Sequence, residues 1–512
     1  MVPNKSVKRH PRQLFRDTST GYIINLVLIN FWKIVKNHYW ALVIVLFAAM
    51  AMTWGLLDIP RGLTVDEAAF GLNATTLSRT GRDENGRFLP FFVLSIGGRD
   101  WRQPVTQYYQ AAFFKIMGPG VYNFRLSSVV ITLISSLLIY VFIFEHTRNK
   151  KLSVLAQLLF LTTPIVFIQS HMGLDNNVPM IFSLIWLIGL GRISYQKLKK
   201  TDKTLAIMAI SLGLSFYAYK GMRVVVPAWG LLTGLYLIWK DKNIHHAFRF
   251  WLWLAPFFLI TPYLNYKYPG SITGGNIPNF DGIYNFLYPY LSYFDPSFLF
   301  ITGDATIYHS TGKHGMLVLA GLPFVVAGLI AFIKKNSWMY LMALGVAPLL
   351  MGSVGSVHRA SRIMCIVPIF ILIMIEGVQY LSKRKVGQFF IVICLFALSL
   401  NFVDFWKIYH YDYAKITEES FGNLKYYQAF ARLDRVASAY NLPAYISKDA
   451  AAASGESGRF FQQIYFNRFL TQLDREEDGI NLAILSNRQK VDGYENVGCD
   501  GERMQLCVLI KK

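Results

Sequence analysis

The stretch "RGLTVDEAAFG", residues 61–71, follows directly on the first long apolar run of the chain and carries two adjacent carboxylates, Asp66 and Glu67. Acids in this position stand where a bilayer would end, and their meaning depends on which side they face. Composition makes a membrane the default setting. Of 512 residues, 54% are hydrophobic and only 16% charged, against about 25% charged in an ordinary soluble chain. The formal net charge of +21, from 51 basic and 30 acidic residues, would suit nucleic acid. The basic residues fall instead in short clusters between apolar runs, which argues against a nucleic-acid face. Aromatics at 15% suit interfacial belts.

Apolar runs of spanning length lie at roughly 39–58, 121–144, 151–168, 176–192, 204–219, 224–239, 249–266, 316–333, 337–353, 361–381 and 387–406. They predict a mostly α, polytopic membrane protein with about eleven transmembrane helices and no visible internal repeat. The connections set its orientation. Residues 1–38 carry Lys5, Lys8, Arg9, Arg12, Arg16, Lys33 and Lys36, and every second connection thereafter is basic: "RNKK" at 148, "KLKK" at 197, "KDK" at 240, "KK" at 334 and "KRK" at 383. The alternate short connections are poor in Lys and Arg. This positive-inside pattern puts residues 1–38 in the cytoplasm and the C-terminal tail outside. The first run reads as an uncleaved anchor, because its leader is long and "AMA" at 49–51 is a weak cleavage match. The expected location is a bacterial plasma membrane. The transmembrane domain then covers 39–406, with outer loops 59–120 and 267–315, and residues 407–512 form an outer domain.

Asp66 and Glu67 therefore belong to the first outer loop. "TVDEAAFGLNATTLSRTG" reads as a short helix, with Ala68, Leu72, Thr75 and Thr76 as one stripe along the interface. The two acids sit near its start, where the helix dipole favours negative charge, and a plain helix-start role fits them as well as a chemical one. Arginine on the outside runs against the topology bias and needs a reason. Arg99 and Arg102 in "GGRDWRQPVTQYYQAAFF" flank an aromatic, and Pro104 opens a second amphipathic segment ending near Lys115. A lipid phosphate is one such reason, since a planar guanidinium matches it well. "SFYAYKGMRVVVP" adds Lys220 and Arg223 to the same side. The loop 267–315 brings Asp295, Asp304, His309, Lys313 and His314, and "GSVHRASR" brings His358, Arg359 and Arg362. Two His and two Asp in one loop match no tight ligand spacing, so no metal site is expected.

Polar groups thus crowd the outer rim, while the span centres hold almost no ionisable residue. Glu376 comes nearest, toward the cytoplasmic end of its span. A coupled transporter needs charge near the midplane, whereas an enzyme acting on a lipid-borne substrate needs it at the rim. A polyprenyl phosphate carrying a sugar fits that rim: its tail stays in the bilayer and its phosphate and sugar stand at the surface. Transfer requires a carboxylate to take the acceptor's proton, worth about 10²–10⁴ in rate, and cations to hold the leaving phosphate. Asp66 is the candidate base with Glu67 its orienting neighbour, and Arg102, Lys220 and Arg223 are candidate phosphate ligands. Arg99, Asp304, His309, His314, His358 and Arg359 are further candidates for substrate contact. A lipid-linked oligosaccharide flippase, or an O-antigen ligase or polymerase, is the alternative class.

An Asp-Glu pair after the first span, then "GRDENGRFLPFF" and "DWRQPVTQYY", resembles the first outer loop of the GT-C glycosyltransferases. The branch is that of the protein O-mannosyltransferases and the lipid A aminoarabinose transferase. "SFYAYKGMRVVVP", "GDATIYHSTGKHGM" and "HRASRIMCIVP" resemble its later rim segments in the same order, so the resemblance covers roughly residues 40–410. It implies Asp66 as the base, Glu67 as an assistant, and Arg102 where a Lys followed by two prolines is common. It implies Arg223, more than Lys220, as a phosphate ligand, and catalysis without a metal or other cofactor. The sugar and the acceptor (protein, lipid A-like glycolipid or glycan) stay open.

In the tail, "NLKYYQAFARLDRVASAY" reads as an amphipathic helix with Phe430, Leu433, Val436 and Tyr440 on one face, and "LPAYIS", "NLAILS" and "LCVLIKK" read as strands. A small mixed α/β outer domain follows. Of four cysteines, Cys365 and Cys394 fall in apolar runs as small hydrophobes. Cys499 and Cys507, eight residues apart, could close a hairpin by a disulfide if the tail is outside.

Overall fold

A computed structural model describes residues 38–195, 202–242, 244–272, 282–335, 337–421, 423–473, 482–486, 494–500 and 506–511. The expectations for the N-terminal segment and for residues 273–281 of the second outer loop lie outside the described residues. Each of the eleven apolar runs coincides with a helix. Five of these are long and apolar enough to cross a membrane: Val121–Thr147, Met222–Lys240, His245–Lys267, Ala360–Leu381 and Lys385–Phe421. A sixth is a broken pair, Lys150–Leu161 and Pro164–Ser170, bent by 63°. Pro164 at the start of its second half has no N–H to continue the ladder, which accounts for the break. The remaining apolar helices are shorter, His38–Thr53, Pro179–Ser194, Leu319–Lys334, Trp338–Ser353 and Asp202–Phe216.

The spans pack through a continuous apolar core in which Trp186 and Trp229 stack at 4.5 Å with both side chains buried. Glu376 lies in this core at 2% exposure and is held by His146 at 3.0 Å and by Lys335, at the helix ends opposite the rim acids. A buried carboxylate needs such partners, so this group is spoken for.

The loop 59–120 builds the rim. Its helix, here α1 (Val65–Thr80), starts with a capping box. The Glu67 amide donates to the Thr64 hydroxyl, and the Thr64 amide donates to the Glu67 carboxylate, both at 3.0 Å. A hairpin follows, β1 (Val93–Ser95) against β2 (Asp100–Arg102), and then α2 (Pro104–Met117). The expected interfacial stripe on α1 is not what forms. Every residue from Glu67 to Thr75 is buried, because α1 is wedged between α2 and a helix of the C-terminal region, Lys448–Phe466. Ala68, Ala69, Gly71 and Ala74 are small enough to allow that close packing on several faces.

The tail also begins later than expected. The helix that starts at Lys385 runs on through a π-turn at Tyr409–Tyr413 to Phe421, past the boundary placed at 406. Helix Leu424–Tyr440 then buries Phe430, Leu433 and Val436, while Tyr440 points outward at 65% exposure. It packs with helix Lys448–Phe466 on a five-stranded sheet of β3 (Ala444–Ser447), β4 (Thr471–Leu473), β5 (Leu482–Ser486), β6 (Tyr494–Asp500) and β7 (Leu506–Lys511), in the order β4-β3-β5-β7-β6. β3 is parallel to both its neighbours, and β5-β7-β6 is antiparallel. Cys507 is disulfide-bonded, and Cys499 stands directly opposite it in the β6–β7 register. Cys365 and Cys394 are free and buried.

The joint between rim and tail is broad, and one of its contacts is especially tight. A Cβ built on Gly71 would lie 2.5 Å from the ring of Phe460, itself fully buried. Gly71→Ala is therefore expected to lower stability by about 1–3 kcal/mol through overpacking. Thermal unfolding of the detergent-solubilised protein measures it, and Ala there without a shift in Tm would show that the joint is loose.

Candidate active site

The two adjacent acids of α1 point to different environments. Glu67 is fully buried beneath the rim. One carboxylate oxygen accepts the Gly173 amide at 3.1 Å and lies 3.5 Å from Nε of Arg125, while the other closes the capping box. Arg125 is also fully buried, in the first turns of the Val121–Thr147 helix. Its guanidinium donates to the carbonyls of Leu56, Leu57 and Pro60 at 3.0–3.2 Å and to that of Gly62. One ion pair thereby ties the end of the first span, the start of α1 and the Gly173 turn together. Gly173 has no room for a side chain, since a Cβ would meet Phe124 at 1.9 Å.

Asp66, one residue back, is 58% exposed and faces the cleft. Arg102 Nη2 lies 2.9 Å from its carboxylate. Arg102 itself is only 5% exposed and is fixed on every side. Its Nε donates to the Ser95 hydroxyl at 2.7 Å, its Nη1 is 3.3 Å from Asp100, and its guanidinium lies over the Phe70 ring at 4.5 Å. The β1–β2 register makes this possible, because Arg102 pairs with Val93 at the hairpin's open end beside α1. Lys220 reaches the other oxygen of Asp100 from the turn before the Met222–Asp241 helix. Asp100 thus links two of the expected phosphate ligands.

Arg223 stands one layer behind, donating to the side-chain oxygen of Gln103 at 2.6 Å and to the carbonyl of Ile272. It braces the residue between Arg102 and Pro104.

A third carboxylate completes the cleft and was not anticipated. Asp175, in the turn between Ser170 and Pro179, is pushed up to about 7 by burial. Arg102 and Lys220 pull it down, and Asp66 and Asp100 push it further up. No charge pattern marks "HMGLDNNVP" as a site. It is placed there by the Gly173 amide bond to Glu67 and by the Asn176 amide, which donates to Gln169 at 2.7 Å.

From the loop before the Leu319–Lys334 helix His309 joins the cleft. Its Nδ1 lies 2.7 Å from the Gln169 amide nitrogen, and burial lowers its pKa, with Asp304 and Asp66 opposing and Arg359 and Arg362 assisting. Arg362 is half-buried beside Tyr219, Tyr293 and His309, with no side-chain partner among the described residues.

The other expected residues serve the loop. Asp304 is buried and accepts from the Thr306 amide and hydroxyl at 2.8 and 2.7 Å and from the Ala360 amide at 2.6 Å, with Arg359 3.7 Å away. His358 lies 3.3 Å from Asp295 and stacks on Phe298. His314 is buried away from the cleft, 3.2 Å from Asp404. Arg99 is exposed at the hairpin tip and lines a different cavity. Among the described residues no group of three or more His, Cys, Asp or Glu is placed to hold a metal ion.

Residues 102–266 match the family described as dolichyl-phosphate-mannose-protein mannosyltransferase. A curated relative, the undecaprenyl phosphate-alpha-4-amino-4-deoxy-L-arabinose arabinosyl transferase of Wigglesworthia glossinidia brevipalpis, is 26% identical over 151 residues. That stretch is 29% of this chain, and it spans about a quarter (26%) of the relative's length. The ArnT structure from Cupriavidus metallidurans bound to undecaprenyl phosphate superposes with a TM-score of 0.54 at 9% identity, over 91% of this chain and 97% of that one. Its apo form gives 0.53 at 11% identity with the same coverage. At such identities the likeness shows the fold alone. Together these findings show the fold of the ArnT structures, with residues 102–266 similar to the mannosyltransferase family.

The division between the acids is measurable. Glu67→Ala leaves Arg125 buried without its carboxylate and is expected to cost about 3–5 kcal/mol, whereas Asp66→Asn should leave Tm within a degree or two. Equal stability losses from the two substitutions would overturn the separate roles.

Proposed function

We propose that the chain is an inverting glycosyltransferase that moves a sugar from a polyprenyl-phosphate carrier to an acceptor hydroxyl on the extracytoplasmic side of the membrane. In this reading the eleven helices all cross or enter the bilayer, residues 1–38 are cytoplasmic and the C-terminal domain is outside. The observation that carries it is the Asp66–Arg102 pair, an exposed carboxylate held 2.9 Å from a buried guanidinium at the rim. The bound lipid of the Cupriavidus metallidurans ArnT structure, undecaprenyl phosphate, supports the choice of carrier.

The chemistry follows from the charges. Asp66 takes the proton of the acceptor hydroxyl as its oxygen attacks the anomeric carbon. The bond from that carbon to the phosphate oxygen breaks, and its electron pair leaves with the phosphate. Arg102 and Lys220 receive the phosphate charge, with Arg362 across the cleft as a third cation, which stabilises the departing group where charge develops. One attack by the acceptor inverts the anomeric centre. Glu67 and Arg125 position Asp66, and Arg223 positions Arg102 through Gln103. The reading assigns no step to a metal, so transfer should survive EDTA.

The test is transfer together with mass spectrometry of copurifying lipids. Asp66→Asn is expected to lower transfer about 10²–10⁴-fold with the lipid retained, and Arg102→Ala to lose a polyprenyl phosphate carrying one sugar. Transfer at the wild-type rate in Asp66→Asn would move the protein to the ligase or polymerase class. A diphosphate-linked oligosaccharide in place of the monophosphate would favour a ligase or flippase.

Asp175 gives the site a pH dependence of definite sign. Below about 7 its carboxyl is neutral and leaves Arg102 and Lys220 to the phosphate; above it the anion competes for them. Affinity for a polyprenyl phosphodiester analogue, whose own charge is constant over this range, is expected to weaken severalfold from pH 6 to pH 8. Asp175→Asn should flatten that dependence, and an unchanged slope in the variant would remove Asp175 from the phosphate site.

A further inference from the structure

A cavity of ligand size is separate from the cleft above Asp66. It lies beside it, between the hairpin tip at Ile96, Gly97 and Arg99 and the C-terminal domain at Lys448–Gln462 and Phe469–Gln472, with a volume of about 660 Å³. Volumes of about 300–1,000 Å³ are those of pockets that hold a ligand of several rings.

Its wall has a definite chemistry. Among the described residues, the cations Arg99, Lys448 and Arg459 line the wall together with one carboxylate, Glu456. Arg459 is matched by Glu456 at 3.2 Å and by Glu84 at 2.5 Å, and its guanidinium lies over the Phe469 ring at 5.2 Å. Arg99 is exposed and has no side-chain partner among the described residues. Gln462 and Gln472 supply amides, and Phe469 an aromatic surface that is 44% exposed. Gly455, at φ +51° and ψ −138°, breaks the Lys448–Phe466 helix at the cavity wall and leaves open space where a side chain would project. Cationic forks, amides and an exposed ring together suit a carbohydrate that bears carboxylate or phosphate groups.

The cavity is coupled to the cleft by β2. Arg99 immediately precedes the strand whose last residue is Arg102, so three residues, about 10 Å of extended chain, separate the two sites. A sugar chain lying in the cavity would therefore extend toward Asp66 by its near end. We propose that this groove binds the acceptor, and that the acceptor is an anionic glycan several residues long whose remote units lie against Arg99 and Phe469. The inference rests on the transferase reading above and deepens it by naming the acceptor's class.

The probe is tetragalacturonate, with maltotetraose as the uncharged comparison and tetraglutamate as an acidic peptide. Each is titrated by ligand-observed NMR against the full chain in detergent. Wild type is expected to bind tetragalacturonate, and Arg99→Glu to weaken that binding at least tenfold. Gln472→Glu on the opposite wall, an exposed position that leaves the core untouched, should weaken it in the same direction. Maltotetraose should bind more weakly than tetragalacturonate and respond little to either substitution. Tetragalacturonate binding that is absent from wild type, or equal in wild type and both variants, would overturn the proposal. Tetraglutamate binding more tightly than the glycan would overturn it in favour of a peptide acceptor. Failure of the transferase reading appears elsewhere, as Arg102→Ala retaining its lipid, a result that glycan binding at Arg99 does not depend on.

Discussion

The buried pair of Glu67 and Arg125 is the constraint on which the rim depends. Both side chains are buried, and each charge is tolerable only because the other faces it and backbone groups bond to it. The cation gathers the carbonyls of residues 56–62 and the anion gathers an amide from residue 173. Three segments distant in sequence are thereby fixed before any catalytic group is considered. Asp66 inherits its direction from Glu67, since successive residues of a helix project about 100° apart and the inward position is already taken. A surface carboxylate beside an unanchored Glu67 would wander; here it is held against a guanidinium that is itself immobile.

Much of this was legible in the chain because membrane topology is written in composition. Apolar runs matched helices throughout. The Pro104 start of α2 and the strands β3, β5 and β7 of the tail were likewise local signals. What escaped was non-local. Arg125 sits in the first turns of an apolar helix and looks like an interfacial residue until its partner arrives from another segment. Asp175 lies in a turn with no charged neighbour in sequence, and becomes a cleft residue only through the folding of that turn onto α1. The burial of α1 on most of its faces was also invisible, because small residues carry no periodic contrast.

The same logic sorts the outer histidines and acids. Asp304, His314 and His358 are polar residues expected on the same side as His309, yet each is used to join one segment to another. Residue type announces chemistry equally well for a loop brace and for a substrate contact. Only partner identity separates them, and partners here come from segments scores of residues away. Arg223 shows a related case, in which a residue of the right type is displaced by one layer and acts on Gln103 instead of on the cleft.

The pairing of Arg102 with Asp66 has a consequence for the order of events. Under the proposed function, the base and the phosphate ligand neutralise one another while no donor is bound, so neither is available. An arriving phosphate competes for the guanidinium and releases the carboxylate in the same movement. An acceptor that arrives first meets a carboxylate already engaged and a weaker proton acceptor. In that proposed reading the arrangement is an interlock: occupancy by the carrier lipid arms the base, which makes donor-first binding the productive sequence and leaves the idle cleft chemically quiet.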